Sequence, residues 1–335
     1  MVGGTRTLVL PDTYVNAPGS PIRISNSPDS ACGVTPIQVV ALNRPDKLNA
    51  ITRGMIDTLI TFFTTVDVDD RVKVVILTGA GRVFSAGIDL NGDFSQAKNE
   101  LRPSEMRDPG GTLALSMFNC TKPIIVAYNG LSVGIGMTST LAAGIRIAPR
   151  NAEFGFPFSR IGLTMESSSS FFLPRMVGYS NATYLLTTGK RYPAHSHVLH
   201  GIFAELLPEP EDVFPGQLNL PKTFCLTLAP WQLILFGGIL VLRKAHTWLT
   251  VLFYTTCLVE GNLKIPAQCR LFVVVVLTFT DSLRDHLEFK RSFFEKRQPE
   301  FTDDLSKDAP RIYPWWSEVS VETRPTAHRA PGSKL

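Results

Sequence analysis

The segment "VKVVILTGAGRVFSAGIDL", residues 72–90, holds an apolar run that ends at Gly79, with a second glycine, Gly87, shortly after it. A β-branched apolar run that stops at a glycine is typical of a buried strand followed by a turn. The segment "KPIIVAYNGLSVGIGM", residues 122–137, repeats this arrangement, with Gly134 in its turn. We therefore expect two buried strands, each followed by a glycine turn whose backbone can bend sharply.

The two turns are expected to present backbone donors to a common cleft. In the first turn, the N–H group of Ala86 is predicted to point into that cleft. In the second, Ile135 follows Gly134 where a helix begins, so its N–H lacks an intrahelical acceptor. Two such donors that converge form an oxyanion hole, which stabilises negative charge on a carbonyl oxygen. We predict an oxyanion hole made by Ala86 and Ile135.

Strand and helix patterns alternate along this part of the chain. The run "PIQVVALN", residues 36–43, predicts another strand, and residues 46–70 carry apolar side chains at helical spacing. The predicted inner face of that helix consists of Ile56, Leu59, Ile60, Phe63 and Val66. Strands that alternate with helices indicate an α/β fold.

Shifts in composition divide the chain into four predicted regions. These are an irregular N-terminal arm (1–30), the α/β core (31–211), an atypical apolar segment (212–282) and a C-terminal helix and tail (283–335). The apolar segment includes 20 uncharged residues, 223–242, which is long enough to span a bilayer. Three interpretations stay open for it: a helical lid, translation of a retained intron, or a membrane-associated segment, the last being least favoured.

The composition argues against several classes of protein. Lys and Arg number 33 against 29 Asp and Glu, and no basic run stands out, so nucleic acid is not an expected partner. The 5 cysteines are scattered, which favours a reducing compartment over a disulfide framework. Three histidines, His195, His197 and His200, have no acid at ligand spacing before Glu205. A polar loop is therefore predicted there, and no metal site.

One acid occupies the otherwise apolar and serine-rich segment "FGFPFSRIGLTMESSSSFFLP", residues 154–174. Glu166 has two interpretations: an acid in the first turn of a helix, or a catalytic base in an apolar environment. The four serines after it, 167–170, are predicted to cap a helix. Burial beside Phe171 and Phe172 would raise the pKa of Glu166 and make it a stronger base.

Four blocks of sequence together resemble a known protein family. They are "ALNRPDKLNA" (41–50), the two strand–turn segments quoted first, and "FGFPFSRIGLTMESSSSFFLPRMVG" (154–178), in this order. They resemble the enoyl-CoA hydratase/isomerase (crotonase) superfamily over residues 37–211, and more briefly over 284–318. The resemblance implies a crotonase-like spiral of ββα units with a C-terminal helical region, assembled as a homotrimer or hexamer.

The resemblance also implies a ligand. The substrate would be an acyl-CoA thioester, with no separate cofactor, and its thioester oxygen would lie between the N–H groups of Ala86 and Ile135. The further residues implied to line the substrate site are Ser85, Gly87, Ile88, Asp89 and Gly134, with Lys47 and Leu48 along the groove for the CoA nucleotide. For Asp89, capping of the turn is the favoured alternative.

Carboxylates separate the branches of this superfamily. Hydratases carry two glutamates, and their positions match Thr138 and Phe158 here. The peroxisomal Δ3,Δ2-enoyl-CoA isomerase branch uses one glutamate, in a block that "FSRIGLTMESSSS" resembles, and Glu166 matches it. Met165 and Ser167 replace the usual proline and glycine of that block. The resemblance thus favours an isomerase that moves a double bond from C3–C4 to C2–C3, with Glu166 as its only acid and base.

Two other functions stay open. A hydratase-like enzyme of fatty-acid or secondary metabolism would need another acid, for which Glu153 and Asp89 are candidates. A non-catalytic acyl-CoA-binding subunit is the third possibility. The terminal tripeptide Ser333-Lys334-Leu335 matches the address read by the peroxisomal import receptor, which predicts a location in the peroxisomal matrix.

Overall fold

The computed structural model describes residues 9–91 and 108–213, together with 288, 291–292 and 294–297. Within the last group, positions 288, 291, 292, 294 and 295 are helical. The apolar segment beyond residue 213 and the tripeptide Ser333-Lys334-Leu335 lie outside the described residues. The predictions made for them remain predictions.

The described residues form nine strands, five α-helices and several short 3-10 turns. The strands are β1 (Ile22–Ser27), β2 (Ile37–Leu42), β3 (Val74–Gly79), β4 (Ile124–Ala127), β5 (Ser132–Val133), β6 (Ile145–Pro149), β7 (Glu153–Gly155), β8 (Arg191–Pro193) and β9 (Glu205–Leu207). The α-helices are α1 (Arg53–Asp67), α2 (Pro109–Asn119), α3 (Ile135–Thr138), α4 (Ser169–Val177) and α5 (Tyr179–Thr188). The 3-10 turns are Pro45–Lys47, Ser139–Ala142, Phe158–Arg160, His197–Leu199 and Pro210–Val213.

The described strands lie in two sheets. The larger has the order β1-β2-β3-β4-β6-β9 and the smaller the order β5-β7-β8. β1 pairs antiparallel with β2, whereas the later neighbours in the larger sheet pair parallel. Two pairs of consecutive strands, β4 with β5 and β6 with β7, step from the larger sheet to the smaller. This stepping winds the chain into the predicted spiral and confirms the α/β class.

The predicted arm is not irregular throughout. Residues 22–27 form β1, which pairs along its whole length with β2, from Ile22 opposite Leu42 to Ser27 opposite Ile37. Ile22 and Ile24 point inward and alternate with more exposed neighbours. Such alternation marks a strand with one buried face, even within a segment rich in turn-forming residues.

Helix α1 buries one face in the main core. Thr52 caps its start by accepting a hydrogen bond from the Met55 N–H at 3.3 Å. The buried residues of the helix are Met55, Ile56, Leu59, Phe62, Phe63 and Val66. Four of the five predicted positions are among them, while Ile60 is only partly buried and Phe62 is buried in addition. Each large side chain removed from water in this way contributes about 1.5–3 kcal/mol.

The arrangement of β3 and β4 positions the site. β3 is buried at every position, as predicted, and it pairs parallel with β4 so that Val75 lies opposite Ile124. Parallel neighbours end at the same edge of a sheet. The turns that follow these two strands therefore emerge side by side.

Two negative findings hold for the part of the chain that the structure describes. No helix in it is both long enough and apolar enough to cross a bilayer. No three His, Cys, Asp or Glu side chains in it are grouped so that they could hold a metal ion. His195, His197 and His200 are all exposed, in and around a 3-10 turn.

Candidate active site

The two glycine turns pack directly against each other. Ser85 and Ser132 form a parallel bridge. In it, the Ser85 N–H donates to Leu131 O (3.1 Å), and the Val133 N–H donates to Ser85 O (3.1 Å). A Cβ atom on Gly136 would lie 2.5 Å from the Ser85 Cβ, closer than real carbon atoms approach. Only glycine fits at 136, so this residue is what lets the two turns meet.

Gly87 has a left-handed backbone conformation, which bends the first loop. Its φ is +99°, and a Cβ there would approach Val133 O to 3.3 Å. The Ser85 hydroxyl supports the bend: it donates to Asn49 O at 2.9 Å and accepts from the Gly87 N–H at 3.2 Å. Ser85 and Gly87 are thus structural elements of the loop.

The prediction that Ala86 supplies an oxyanion-hole donor is wrong. Its N–H donates to Leu48 O at 2.9 Å and therefore already has an acceptor. Ile88 is placed differently, because both of its neighbours in the chain bond to Ile51. The Ile51 N–H donates to Gly87 O (2.8 Å), and the Asp89 N–H donates to Ile51 O (2.9 Å). The Ile88 N–H faces away from Ile51 and, among the described residues, has no acceptor.

Ile135 keeps its predicted place. It is the first residue of α3, directly after Gly134, whose φ is +54°. No acceptor for the Ile135 N–H occurs among the described residues. A Cβ on Gly134 would lie 3.8 Å from the Gly87 Cα, so the turns that carry Ile88 and Ile135 are in contact. Within the described residues, the first turn thus presents a free N–H donor at Ile88 and the second turn one at Ile135.

Asp89 is held in a structural ion pair. Its Oδ2 accepts a hydrogen bond from Arg44 Nη1 at 2.8 Å, and its Oδ1 accepts from the Asn91 N–H at 3.1 Å. Burial alone would raise the pKa of Asp89, but these hydrogen bonds outweigh it and hold that pKa below its usual range. Asp89 thus caps the turn, the alternative that the sequence favoured, and is a poor proton donor.

Lys47 and Leu48 lie where the first turn meets the surface. Lys47 is exposed at the end of a 3-10 turn, and Leu48 adopts a left-handed backbone with φ of +50°. The next residue, Asn49, is fully buried, and its amide donates to Ala80 O (2.9 Å) and Val83 O (2.8 Å). Asn49 ties this loop to the turn after β3, a role that the sequence did not reveal.

Glu166 lies three residues before α4 and is enclosed by hydroxyl donors. Thr138 Oγ1 donates to its Oε1, and Ser167 Oγ donates to its Oε2. Burial raises the pKa of Glu166 to about 8, and the negative charge of Asp108 acts in the same direction, while the two hydroxyl hydrogen bonds partly oppose the rise. A carboxyl with such a pKa can both accept and release a proton near neutral pH.

The start of α2 links Glu166 to the second turn. A Cβ on Gly110 would lie 2.7 Å from Glu166 Oε2 and 3.2 Å from Ile135 Cδ1. The carboxyl group and the first residue of α3 therefore flank the same glycine. This geometry brings the predicted base to the residue that carries one of the two free N–H donors.

The serines after Glu166 do not cap α4 as predicted. Ser167 and Ser168 are both left-handed, with φ of +55° and +59°, and Ser168, at the N-cap position, makes no capping hydrogen bond. Ser169 instead donates to Glu166 O at 2.5 Å. Left-handed backbone favours glycine, which explains why glycine is usual at the position of Ser167 in the resembled block.

Asp108 is the functional neighbour that sequence reasoning missed. It is the N-cap of α2, and it accepts from the N–H groups of Gly110 (3.0 Å), Gly111 (2.8 Å) and Ser167 (2.8 Å). The dipeptide Asp108-Pro109 is a recognisable helix start, because aspartate is a preferred N-cap and proline a preferred first residue. Its contact with the Glu166 turn, 59 residues away, has no local signal.

The alternative acids for a hydratase do not accompany Glu166. Glu153 is exposed on β7 and pairs with Arg191 at 3.5 Å, and Asp89 is committed to Arg44. The positions that match the hydratase glutamates, Thr138 and Phe158, are both buried and uncharged.

Comparison with known proteins supports the family. The sequence model described as enoyl-CoA hydratase/isomerase matches residues 34–222. Enoyl-CoA hydratase ACTT3 of Alternaria alternata is 34% identical over 273 residues, covering 82% of this chain and 85% of that protein. A relative from Arabidopsis thaliana, whose name includes "enoyl-CoA hydratase 1, peroxisomal", is 36% identical over 146 residues, 44% of this chain and 53% of that protein.

Solved structures agree on the fold. The enoyl-CoA hydratase/isomerase of Pseudoalteromonas atlantica superimposes with a TM-score of 0.67 at 24% identity, covering 84% of this chain and 100% of that one. Both protein relatives are named hydratases, so the comparisons do not assign the isomerase branch. The family match and the shared crotonase fold together show that this chain belongs to the enoyl-CoA hydratase/isomerase family.

Proposed function

We propose that this chain is an enoyl-CoA isomerase, which converts a 3-enoyl-CoA into the conjugated 2-enoyl-CoA with Glu166 as acid and base. The observation that carries the proposal is the placement of Glu166: its carboxyl flanks Gly110 together with Ile135, and its pKa is raised to about 8. The hydratase glutamate positions hold Thr138 and Phe158, which cannot move a proton as a carboxyl does.

In the proposed reaction, Glu166 removes a proton from C2 of the acyl chain. The C–H electrons form the C2–C1 double bond of a dienolate, and negative charge develops on the thioester oxygen. The N–H groups of Ile88 and Ile135 donate to that oxygen, with Ile88 replacing Ala86 in the original prediction. Removal of one such donor in comparable sites costs about 3 kcal/mol of transition-state stabilisation. The protonated Glu166 returns the proton to C4, which leaves the double bond at C2–C3.

The test is a direct assay of purified protein with a 3-enoyl-CoA, following the ultraviolet absorbance of the conjugated product. Glu166→Gln should lower kcat by at least ~100-fold, because general acid–base catalysis contributes about 10²–10⁴-fold. Glu153→Gln is the matched control, since it makes the same change at an exposed ion pair and should keep full turnover. Full activity in Glu166→Gln would refute the assignment.

Hydration of a 2-enoyl-CoA is the second candidate, and the name of the Alternaria relative favours it. Such an enzyme would act on an acyl chain of fatty-acid or secondary metabolism. Glu166 would take a proton from water while the water oxygen bonds to C3, and would then return that proton to C2, because no second acid accompanies it among the described residues. Mass spectrometry of the products separates the two reactions, because hydration adds one water to give a 3-hydroxyacyl-CoA and isomerisation leaves the mass unchanged. If the chain binds acyl-CoA and produces neither compound, it is the non-catalytic subunit.

The proposed setting is the peroxisomal matrix, with the protein assembled as a homotrimer or hexamer and acting on acyl-CoA without a separate cofactor. The tripeptide Ser333-Lys334-Leu335 supports import, as does the name of the Arabidopsis relative. A fluorescent protein fused to the N-terminus should accumulate in peroxisomes and should remain outside them when Leu335 is deleted. Sedimentation velocity would report the assembly state.

A further inference from the structure

Asp108 and Glu166 are joined through a single residue. The Ser167 N–H donates to Asp108 Oδ2 at 2.8 Å, while the Ser167 hydroxyl donates to Glu166 Oε2. The backbone of Ser167 is left-handed, with φ of +55°, a conformation that a serine adopts only when its surroundings hold it there. The Asp108 carboxylate is one of the groups that hold it.

Asp108 is itself fixed from two directions. Its Oδ1 accepts from the Gly110 N–H at 3.0 Å, and its Oδ2 accepts from the N–H groups of both Gly111 (2.8 Å) and Ser167 (2.8 Å). Several backbone donors favour the ionised form of a carboxyl. Three backbone N–H groups from two segments thus converge on this one carboxylate, which ties the start of α2 to the turn before α4.

We propose that Asp108 is a positioning residue for Glu166: its carboxylate anchors the Ser167 backbone so that the Ser167 hydroxyl reaches Glu166 Oε2, and it places a fixed negative charge beside the base. The role of Glu166 as a base rests on the proposed function, whereas its positioning by Asp108 does not. The structure assigns this role through contacts between α2 and the turn before α4, which are distant in sequence.

Asp108 and the neighbouring hydroxyl groups have opposite effects on the pKa of Glu166. Asp108, from α2, favours the protonated form of Glu166 by charge repulsion, after burial, which is the larger cause. The hydroxyl groups of Ser167, from the turn, and Thr138, from α3, favour the ionised form. In the part of the chain described, no other charged group contributes to this pKa. Removal of the Asp108 charge alone, with the Ser167 anchor kept, should therefore lower the pKa of Glu166, and loss of the Ser167 hydroxyl should raise it.

The experiment titrates Glu166 in the full chain by NMR, with glutamate labelled with ¹³C at the δ-carbon, and uses Glu166→Gln to identify the signal. Asp108→Asn removes the charge but keeps an acceptor oxygen for the Gly111 and Ser167 N–H groups, so the Ser167 anchor stays in place. It also keeps a good N-cap, because asparagine caps helices about as well as aspartate. We expect its Glu166 midpoint to fall by about one pH unit, since a neighbouring like charge produces shifts of roughly that size or more. An unchanged midpoint in Asp108→Asn would overturn the proposal.

Two more variants complete the test. Ser167→Ala should raise the titration midpoint of Glu166, and it keeps the proposal testable if Asp108→Asn does not fold. An unchanged midpoint in Ser167→Ala would refute the link through Ser167. Thr52→Ala removes an N-cap from α1 and should leave the midpoint in place, because its only effect is on stability. A shift in Thr52→Ala equal to that in Asp108→Asn would show general loosening and would also overturn the proposal.

This readout separates two kinds of failure. The titration needs no substrate, so it reports on Asp108 even if Glu166 proves not to be the base. Turnover of Glu166→Gln tests the proposed function alone. If both hold, the acid limb of the pH–rate profile for Asp108→Asn should move to lower pH by the same amount as the titration midpoint.

Discussion

Substitution of Glu166 by glutamine should change how the stability of this protein depends on pH. The pKa of Glu166 is about 8 in the folded chain, against an ordinary value of 4.5. Between these two values the folded protein binds a proton that the unfolded chain has released. The free energy of unfolding contributed by this group is therefore fully present below pH 4.5 and is lost as pH rises through 8.

The size of the effect follows from the same numbers. A pKa difference of this kind corresponds to about 1.4 kcal/mol for each unit, or about 5 kcal/mol over the whole window. Glu166 keeps part of its surface exposed, so solvent screening reduces this, and we expect about 2–3 kcal/mol. Glu166→Gln has no proton to lose, so at pH 9 it should be more stable than the wild type by that amount.

Urea unfolding at pH 5, 7 and 9, at one protein concentration, measures this directly. The difference in unfolding free energy between Glu166→Gln and the wild type should grow in favour of the variant as pH rises. Glu153→Gln removes an exposed carboxyl and should run parallel to the wild type. If the Glu166→Gln and wild-type curves are also parallel, the pKa of Glu166 is not raised as described above, and the proposed reaction has no suitable base.

Three further substitutions test the packing around the site. Gly110→Ala should lower kcat/KM by about 100-fold, since its Cβ would lie 2.2 Å from Ser167 Oγ and 2.7 Å from Glu166 Oε2 and would displace the base together with its hydroxyl partner. Gly54→Ala in α1 has open space and should leave turnover unchanged, so equal turnover in both variants would contradict the geometry. Asn49→Ala should cost about 1–3 kcal/mol in urea unfolding, because Ala80 O and the Arg44 N–H lose their partner while Val83 O keeps only the longer bond from Asn129 Nδ2 (3.2 Å). A cost near zero would show that the loop is held otherwise. Phe63→Ala should cost about 3–5 kcal/mol, as its ring is fully buried, and a loss below 1 kcal/mol would place it outside the core.

Several features of this molecule could be predicted from the sequence because the residues that determine them are close together in the chain. The inner face of α1 repeats at helical spacing, and β3 begins with four consecutive apolar residues and ends at a glycine. Glu166 was found because one acid in an apolar, serine-rich segment is conspicuous, and the resemblance gave it a role. β1 was missed because its two inward isoleucines are surrounded by turn-forming residues.

Other parts depend on contacts that no local pattern encodes. The sequence predicts Ala86 as the donor where the structure presents Ile88, because the turn alone does not show where each N–H points. That direction is set by Leu48, whose left-handed backbone brings its carbonyl to the Ala86 N–H. Asp108 is 58 positions from Glu166, so its charge beside the base emerges only when α2 packs against the turn before α4.

The left-handed serine at 167 has an evolutionary consequence. Glycine would suit that backbone better, but it would remove the hydroxyl that contacts Glu166. A library randomised at this codon should therefore yield different winners under different selections. Screening for heat resistance would enrich glycine, whereas screening for activity below pH 7 would retain serine, because its hydroxyl favours the ionised form of Glu166.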